Sequence, residues 1–198
     1  MLTLNQILVK EHVGLFKLSD AYDLINPETG KKVGIAQEKV SGLIQFLRFL
    51  LNKQMLPTSV VFVENPDEHG NGKVVLAIER GFTFISARVK ILLGGTEEIG
   101  YFKSKLFSIG GGFRIFDKND RKIGEVKGDW KGWNFKILDD EGKELGLVTK
   151  KWAGLGKEFF TSADTYMISI NPGKEGNRAA MSLLLAAGIA IDTVFKEK

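Results

Sequence analysis

The chain contains no cysteine, and it has few histidines and prolines: two and four, respectively, in 198 residues. Without cysteine, disulfide bonds, cysteine-based zinc sites and S-acyl membrane anchors are all excluded. The lack of cysteine also fits a reducing cytoplasm. His12 and His69 have no spacing that is typical of a zinc site or of a catalytic triad.

Long hydrophobic segments are also lacking. The start, MLTLNQILVK, has no basic region followed by a continuous apolar run, so we predict no signal peptide.

Ala179 to Ile191 carries no charge over 13 residues. As a helix it would span roughly 20 Å, whereas the bilayer core is about 30 Å thick. A helix that is apolar on every side is buried in protein or in lipid. Its length favours the protein core, and a transmembrane span is the alternative.

The charge balance shows a small excess of positive charge. The 28 basic and 24 acidic residues give a net charge of +4. This excess fits a solubilising surface, and the alternative is attraction to an anionic surface of lipid or nucleic acid. An apolar content of 43% is ordinary for a globular protein. We predict a single domain over residues 1–198.

A repeat with a period of 22 residues is the clearest pattern in the chain. Phe113 to Asn134 reads FRIFDKNDRKIGEVKGDWKGWN, and Phe135 to Gly156 reads FKILDDEGKELGLVTKKWAGLG. Each copy consists of an apolar alternation, a polar turn and a second alternation, which is typical of a β-hairpin. So short a unit cannot bury its own apolar face, and neighbouring copies must therefore join in one sheet.

Four apolar–glycine pairs recur, once in each of four predicted hairpins. They are Val33-Gly34, Ile99-Gly100, Ile123-Gly124 and Leu145-Gly146. Glycine weakens a strand unless the backbone approaches closely or the strand bends. The recurrence therefore indicates a device that bends a curved or closed sheet.

Two segments break the β pattern. In Glu38 to Leu56 the apolar residues recur at helical spacing, and Pro57 ends the segment. The other is the apolar C-terminal segment, for which Asn177 is a candidate cap. The remaining residues suffice for about a dozen strands. We therefore predict a mainly β fold: a closed antiparallel β-barrel of about twelve strands around a buried apolar C-terminal helix, with an additional amphipathic helix (Glu38–Leu56) on the outside.

One segment resembles a known family. Lys151 to Asp164 reads KWAGLGKEFFTSAD and runs into a strand and a final apolar helix. This arrangement resembles the phospholipid scramblases, and the hairpins with an early helix after Gln37-Glu38 resemble the related LURP-one proteins. Both belong to the tubby C-terminal-like superfamily. The resemblance extends over nearly the whole chain and implies a β-barrel with a central helix.

The chain departs from the animal scramblases in three ways. It has neither their proline-rich N-terminal region nor their cysteine cluster. Their proposed calcium segment is acidic, but the matching stretch here, Ser162 to Ser169, keeps only Asp164. One carboxylate cannot supply the several oxygen ligands that calcium requires. We predict no metal site and no cofactor.

Two other segments invite a functional reading. Asp117-Lys118-Asn119-Asp120 begins like a calcium loop, but Arg121 occupies a ligand position, so a hairpin turn is favoured. Gly110-Gly111-Gly112 lacks the lysine and the strand-to-helix context of a phosphate loop, so a turn or bulge is favoured.

Basic residues near the predicted outer helix form the candidate binding site. The first hairpin contains Lys31 and Lys32, and the helical segment contains Lys39, Arg48 and Lys53. In tubby-like proteins an anionic lipid headgroup binds near such a helix. The resemblance therefore implies a headgroup site at these five residues, and a solvated polar face is the alternative.

The function that follows is a non-enzymatic barrel of the scramblase/LURP-one group, cytoplasmic or peripheral at the membrane, whose partners are anionic phospholipid headgroups. No nucleophile–base pair or metal cluster indicates an enzyme, and we expect no nucleic-acid partner. One alternative is a protein-interaction or small-ligand scaffold without a membrane role. Another, ranked lower, is a membrane-embedded scramblase that uses the C-terminal helix.

Overall fold

The computed structural model describes residues 1–12, 20–47, 50–51, 55–82, 88–104, 112–129, 131–151, 165–173 and 175–195. Two helices lie in these residues, α1 (Gly42–Leu47) and α2 (Arg178–Ala190), and a π-helical turn, Ile191–Phe195, continues α2. The twelve strands of the described residues are β1 Gln6–Glu11, β2 Ala21–Ile25, β3 Lys32–Lys39, β4 Thr58–Glu64, β5 Lys73–Arg80, β6 Arg88–Leu93, β7 Glu97–Ser104, β8 Gly112–Asp117, β9 Lys122–Asp129, β10 Asn134–Asp139, β11 Glu144–Thr149 and β12 Thr165–Ile170.

The strands form a closed antiparallel barrel in which each strand lies beside its neighbours in sequence. The barrel closes where β1 pairs with β12, with Leu8 opposite Met167. Closure leaves no unpaired sheet edge among the described strands. The predicted mainly β fold, with about twelve antiparallel strands in a closed barrel, is confirmed.

The two copies of the 22-residue repeat are adjacent hairpins of this barrel. The first copy forms β8 and β9, the second forms β10 and β11, and β9 pairs with β10. Three pairs of identical apolar residues point into the barrel and are at most 1% exposed: Phe113 and Phe135, Ile115 and Ile137, Val126 and Val148. The identity between the copies therefore reflects equivalent positions in one core. The two copies also share a tryptophan, Trp130 and Trp152, and both residues lie outside the described residues.

Each apolar–glycine pair marks a β-bulge. Ile137 pairs with Gly146 but Leu138 pairs with Glu144, so Leu145 is the extra residue. The register shifts in the same way at Val33, Ile99 and Ile123. Because a bulge bends its strand and increases the local twist, the predicted bending device is confirmed.

Close backbone contact explains why glycine follows each bulge. A Cβ atom at Gly100, Gly124 or Gly146 would lie 2.3 Å from the carbonyl oxygen of Phe116, Leu138 or Ser169, respectively. Each glycine strand has two neighbours, its hairpin partner and one other strand. The close carbonyl belongs in each case to that other strand. A side chain at these positions would therefore push neighbouring hairpins apart.

Helix α2 runs through the barrel and contacts β5, β6, β11 and β12. Asn177 caps it, since the side-chain oxygen accepts a hydrogen bond from the Ala180 N–H at 3.0 Å. Residues on every side of the helix are 0% exposed, among them Met181, Leu184, Leu185 and Ala187. The predicted buried C-terminal helix and its cap are confirmed. No helix of the described residues has both the length and the apolar character needed to cross a bilayer.

The core contains polar groups where the chain leaves α2. Asp192, in the π-helical turn, is 4% exposed. Burial, followed by the negative charge of Asp192, raises the pKa of both Tyr22 and Tyr166 well above the usual range. Both hydroxyls therefore stay protonated at neutral pH.

The outer helix is shorter than predicted. Glu38 and Lys39 belong to β3, where they pair with Val60 and Ser59, so the helix begins at Gly42 and not at Glu38. Hydrogen bonds to Asp20 hold Glu38 in the strand: its N–H donates to the Asp20 carbonyl at 2.8 Å, and its carboxylate accepts from the Asp20 N–H at 3.1 Å. These long-range bonds override the helical pattern. The helix ends at Leu47, and Leu56, at the predicted C-terminus, is buried outside it.

The barrel has two distinct ends. At one, the turn end, the short hairpin connections 26–31, 65–72, 94–96, 118–121 and 140–143 meet. At the other, the α1 end, the strands β1, β3, β5, β7, β9 and β11 end, and α1 follows β3 there.

Replacing Gly124 tests the close-contact explanation. We expect Gly124→Ala to lower the free energy of unfolding by about 1–3 kcal/mol, because the added Cβ forces backbone apart. Gly42→Ala is the matched control, since a Cβ there meets nothing within 4 Å. Urea denaturation measures both, and equal stabilities of the two variants would contradict the explanation.

Replacing Leu184 tests the burial of α2. Leu184→Ala should cost about 2–5 kcal/mol through lost contacts and a cavity. Leu184→Asp should prevent folding, because it places an unpaired charge in the core. The control is Leu93→Asp, at a position that is 39% exposed. Circular dichroism and urea titration check the result, and a folded, cooperative Leu184→Asp protein would refute it.

Candidate functional site

A groove opens at the α1 end, between α1 and the adjoining ends of β4, β5 and β6. Its volume is about 590 Å³. Its described lining residues come from four consecutive strands, α1 and two connections: Lys39, Val40, Ser41, Ile44, Pro57, Thr58, Ser59, Glu79, Arg80, Gly81, Phe82, Arg88 and Lys90.

A row of residues on the outer face of the barrel forms one side of the groove. Lys39 lies opposite Ser59, Ser59 opposite Glu79, and Glu79 opposite Lys90. Residues directly opposite in adjacent strands point to the same face. Lys39 and Lys90 are thus three strand spacings apart, or about 14 Å. The sheet register therefore places two lysines across the groove from each other.

Arg80 contributes a buried cation to the groove. On β5 it alternates with Leu76 and Ile78, so its side chain points to the inner face as theirs do, and it is 4% exposed. Its Nη2 donates to the Leu56 carbonyl oxygen at 3.0 Å and to Thr58 Oγ1 at 3.1 Å. Because a guanidinium is always protonated in proteins, a positive charge lies fixed at the barrel rim.

Aromatic and acidic neighbours hold the cations of β6. The Arg88 guanidinium lies 3.6 Å from the centre of the Tyr101 ring, which stacks on Phe116. Lys90 Nζ lies 2.9 Å from Glu98 Oε2, and Arg88 Nη2 lies 3.6 Å from Glu98 Oε1. One carboxylate is thus shared between two cations of the groove.

The groove has an excess of positive charge. Among its described lining residues, Lys39, Arg80, Arg88 and Lys90 are cationic, and Glu79 is the one carboxylate. Glu98, beside the groove, offsets part of the charge of Arg88 and Lys90. The hydroxyls of Ser41, Thr58 and Ser59 are additional hydrogen-bond donors. Lysine, arginine and hydroxyl groups together are suited to bind phosphate oxygens.

The structure separates the five residues of the sequence-based site. Lys39 lines the groove, whereas Lys31 and Lys32 lie at the opposite end of β3. Because that strand has eight residues, the two ends are roughly 23 Å apart. One headgroup cannot contact basic residues at both ends of this strand. Arg48 and Lys53 lie outside the described residues.

Lys32 is held in a small ion cluster with Asp23 and His12. Its Nζ lies 2.7 Å from Asp23 Oδ1, and His12 Nε2 lies 2.7 Å from Asp23 Oδ2. Burial alone would raise the pKa of Asp23, but the bonds to Lys32 and His12 outweigh it and lower that pKa. Much of the charge of Lys32 is therefore offset locally.

Sequence reasoning missed three of the groove cations, Arg80, Arg88 and Lys90. They are distant from Lys39 in sequence, and only the strand register brings them together. One feature of the sequence could have indicated Arg80. It continues the alternation of Leu76 and Ile78, whose side chains point to the inner face of an apolar strand. A charge at a core position of a strand end is a sign of a functional or structural role.

In the acidic turns, backbone N–H groups of the turn already bind the aspartate oxygens. Asp117 Oδ1 accepts hydrogen bonds from the N–H groups of Asn119 and Arg121, both at 2.9 Å. The Arg121 N–H is the main cause of the lowered pKa of Asp117. Asp139 accepts from the Lys143 N–H in the same way, at 2.8 Å. The predicted hairpin turns are confirmed, and the described residues contain no group of three or more candidate metal ligands.

Comparison with known proteins gives the family. The family model described as Scramblase matches residues 3–198. The chain belongs to the Scramblase family. The crystal structure of a protein from Arabidopsis thaliana is similar to this Scramblase-family barrel, with a TM-score of 0.50 and 12% sequence identity, over 94% of this chain and 91% of that chain. At that identity the likeness shows the fold alone. No curated protein matches the sequence.

In this Scramblase-family chain the described part of the stretch that corresponds to the proposed calcium segment belongs to a core strand. Its described part, Thr165 to Ser169, lies in β12. Tyr166 and Ile168 are at most 1% exposed. Residues 162–164, with the carboxylate of Asp164, lie outside the described residues.

Calcium should therefore have no effect on stability. A ligand that binds only the folded state must raise Tm, and the Asp117 oxygens already serve the turn. We expect the same Tm with millimolar calcium as with a chelator, measured by scanning calorimetry. A calcium-dependent rise that Asp117→Asn abolishes would show that this turn binds the metal.

Proposed function

We propose that this Scramblase-family barrel is a non-enzymatic, cytoplasmic protein that associates peripherally with anionic phospholipid surfaces. The groove at the α1 end is proposed to take the phosphate of a lipid headgroup. The observation that carries the proposal is the convergence of Lys39, Arg80, Arg88 and Lys90 on one groove at the barrel rim.

The position of the groove supports a ligand that is attached to a surface. It lies at an end of the barrel and not inside it, where α2 fills the core. A planar membrane can approach an end without deforming the sheet. Basic residues near an anionic leaflet contribute about 1 kcal/mol each, and salt screens the attraction.

The rigidity of the site also supports the proposal. Lys39, Ser59 and Lys90 are carried on β3, β4 and β6 of a closed barrel, and Arg80 is fixed by two hydrogen bonds. Preorganised donors lose little entropy when they bind an anion. A scaffold that binds a free phosphorylated small molecule would use the same groove, and vesicle binding separates the two functions.

Neutralising two groove lysines tests the proposal. We expect Lys39→Gln/Lys90→Gln to weaken binding to phosphatidylserine or phosphoinositide vesicles about 30-fold, since two charges at about 1 kcal/mol each are lost. Vesicle sedimentation at low and high salt measures the affinity, and phosphatidylcholine vesicles should bind neither protein.

The matched control is Lys31→Gln/Lys118→Gln, which removes the same charge at the turn end, where both side chains are exposed. It should bind like the native chain, and unchanged Tm values verify the folds. A stronger effect of this control would place the lipid site at the turn end. Failure of the native protein to bind any anionic vesicle at low salt, with soluble inositol phosphate still bound, would favour the small-ligand scaffold.

A further inference from the structure

Large apolar side chains are exposed at the α1 end. In the described part of the chain the exposed ones are Leu43 (69%), Phe46 (61%), Leu50 (67%), Leu51 (43%), Phe82 (55%) and Leu93 (39%). All but Leu93 lie on α1, just after it, or in the β5–β6 connection. We name these five residues the apolar rim. Single exposed apolar residues are normal on a protein surface, but such a concentration marks an interaction site.

The geometry of α1 gathers the apolar rim on one side. Leu43 and Phe46 are spaced i and i+3 on α1, which places them on one helical face, and Leu50 follows shortly after the helix. The Leu51 N–H donates to the Leu47 carbonyl at 2.8 Å, which ties Leu51 to the end of α1. No residue of α1 itself is buried. A helix with this exposure has an apolar face that nothing in the described chain covers.

The apolar rim borders the groove directly. Phe82 and Ile44 both line it, and Ile44 lies on α1 between Leu43 and Phe46. Apolar side chains beside lysine and arginine form the pattern of a surface that lies in the membrane interface, with apolar groups at the acyl boundary and cations at the phosphates.

Charge argues for lipid and against a second copy of the chain. A twofold interface brings the same patch of two molecules together. The cations of one groove, Lys39, Arg88 and Lys90, would then face the same cations of the other copy, which is unfavourable. An anionic bilayer offers opposite charge next to apolar material, so it complements both parts of the surface.

We infer that the apolar rim inserts into the bilayer beside the bound headgroup, so that α1 is a hydrophobic anchor as well as a wall of the groove. The inference rests on the proposed function and adds the orientation of the barrel, with the α1 end in the interface and the turn end in water. Burial of each apolar side chain adds affinity that salt does not screen.

Single-cysteine labelling tests the orientation. Because the native chain has no cysteine, Phe46→Cys, Phe82→Cys and the control Leu93→Cys each accept one environment-sensitive fluorophore. With phosphatidylserine vesicles, labels at 46 and 82 should shift to shorter wavelength and brighten, and the label at 93 should not. Equal spectra at all three sites in a vesicle-bound protein would overturn the inference. A shift at 46 without vesicles that grows with protein concentration would also overturn it, in favour of self-association.

A second arm measures the contribution of the rim to affinity. We expect Leu43→Ser/Phe46→Ser to weaken vesicle binding at least about tenfold, and more at high salt than at low salt. Leu93→Ser should bind like the native protein. If the serine pair binds like the native chain while Lys39→Gln/Lys90→Gln does not, insertion is refuted and headgroup binding stands. If the native chain binds no vesicle, both proposals fail.

Discussion

Helix α2 is apolar on every side, and such a helix is stable in water only when other parts of the chain surround it. The twelve described strands meet this requirement by closing into a barrel whose inward residues pack on the helix. Closure in turn requires bending, which the bulges at Val33, Ile99, Ile123 and Leu145 supply. The glycine after each bulge is needed because adjacent hairpins approach too closely there for a side chain.

The two ends of the barrel differ in the connections that they carry. Tight hairpins close the turn end, where carboxylates such as Asp117 and Asp139 satisfy backbone N–H groups. At the α1 end six strands end, and α1 follows one of them, β3. Since the core is already filled, the apolar residues of α1 have no interior to enter and remain exposed. The same geometry brings the ends of β3 to β6 together, and with them the groove cations. One end of the barrel therefore combines positive charge with apolar surface.

Only part of the candidate site could be predicted from the sequence. Lys39 was assigned to it, though as a helical residue, whereas it lies at the end of β3. Arg80, Arg88 and Lys90 were missed because cross-strand register, which no local pattern encodes, makes them neighbours of Lys39. Lys31 and Lys32 are near Lys39 in sequence, but an extended strand separates them from it. Proximity in sequence was thus a poor guide to proximity in space.

The sequence by itself determined the hairpins, the glycine-marked bends, the cap at Asn177 and the need of α2 for apolar surroundings. These features follow from local periodicity, from glycine placement and from the apolar character of a single segment, all of which act over a few residues. The tertiary structure decided where the outer helix begins, because hydrogen bonds between Glu38 and Asp20 hold β3 extended against the helical pattern. It also decided which cations share a groove and which apolar residues stay exposed. Those properties depend on strand register and on space left in the core, and both arise only when distant segments pack together.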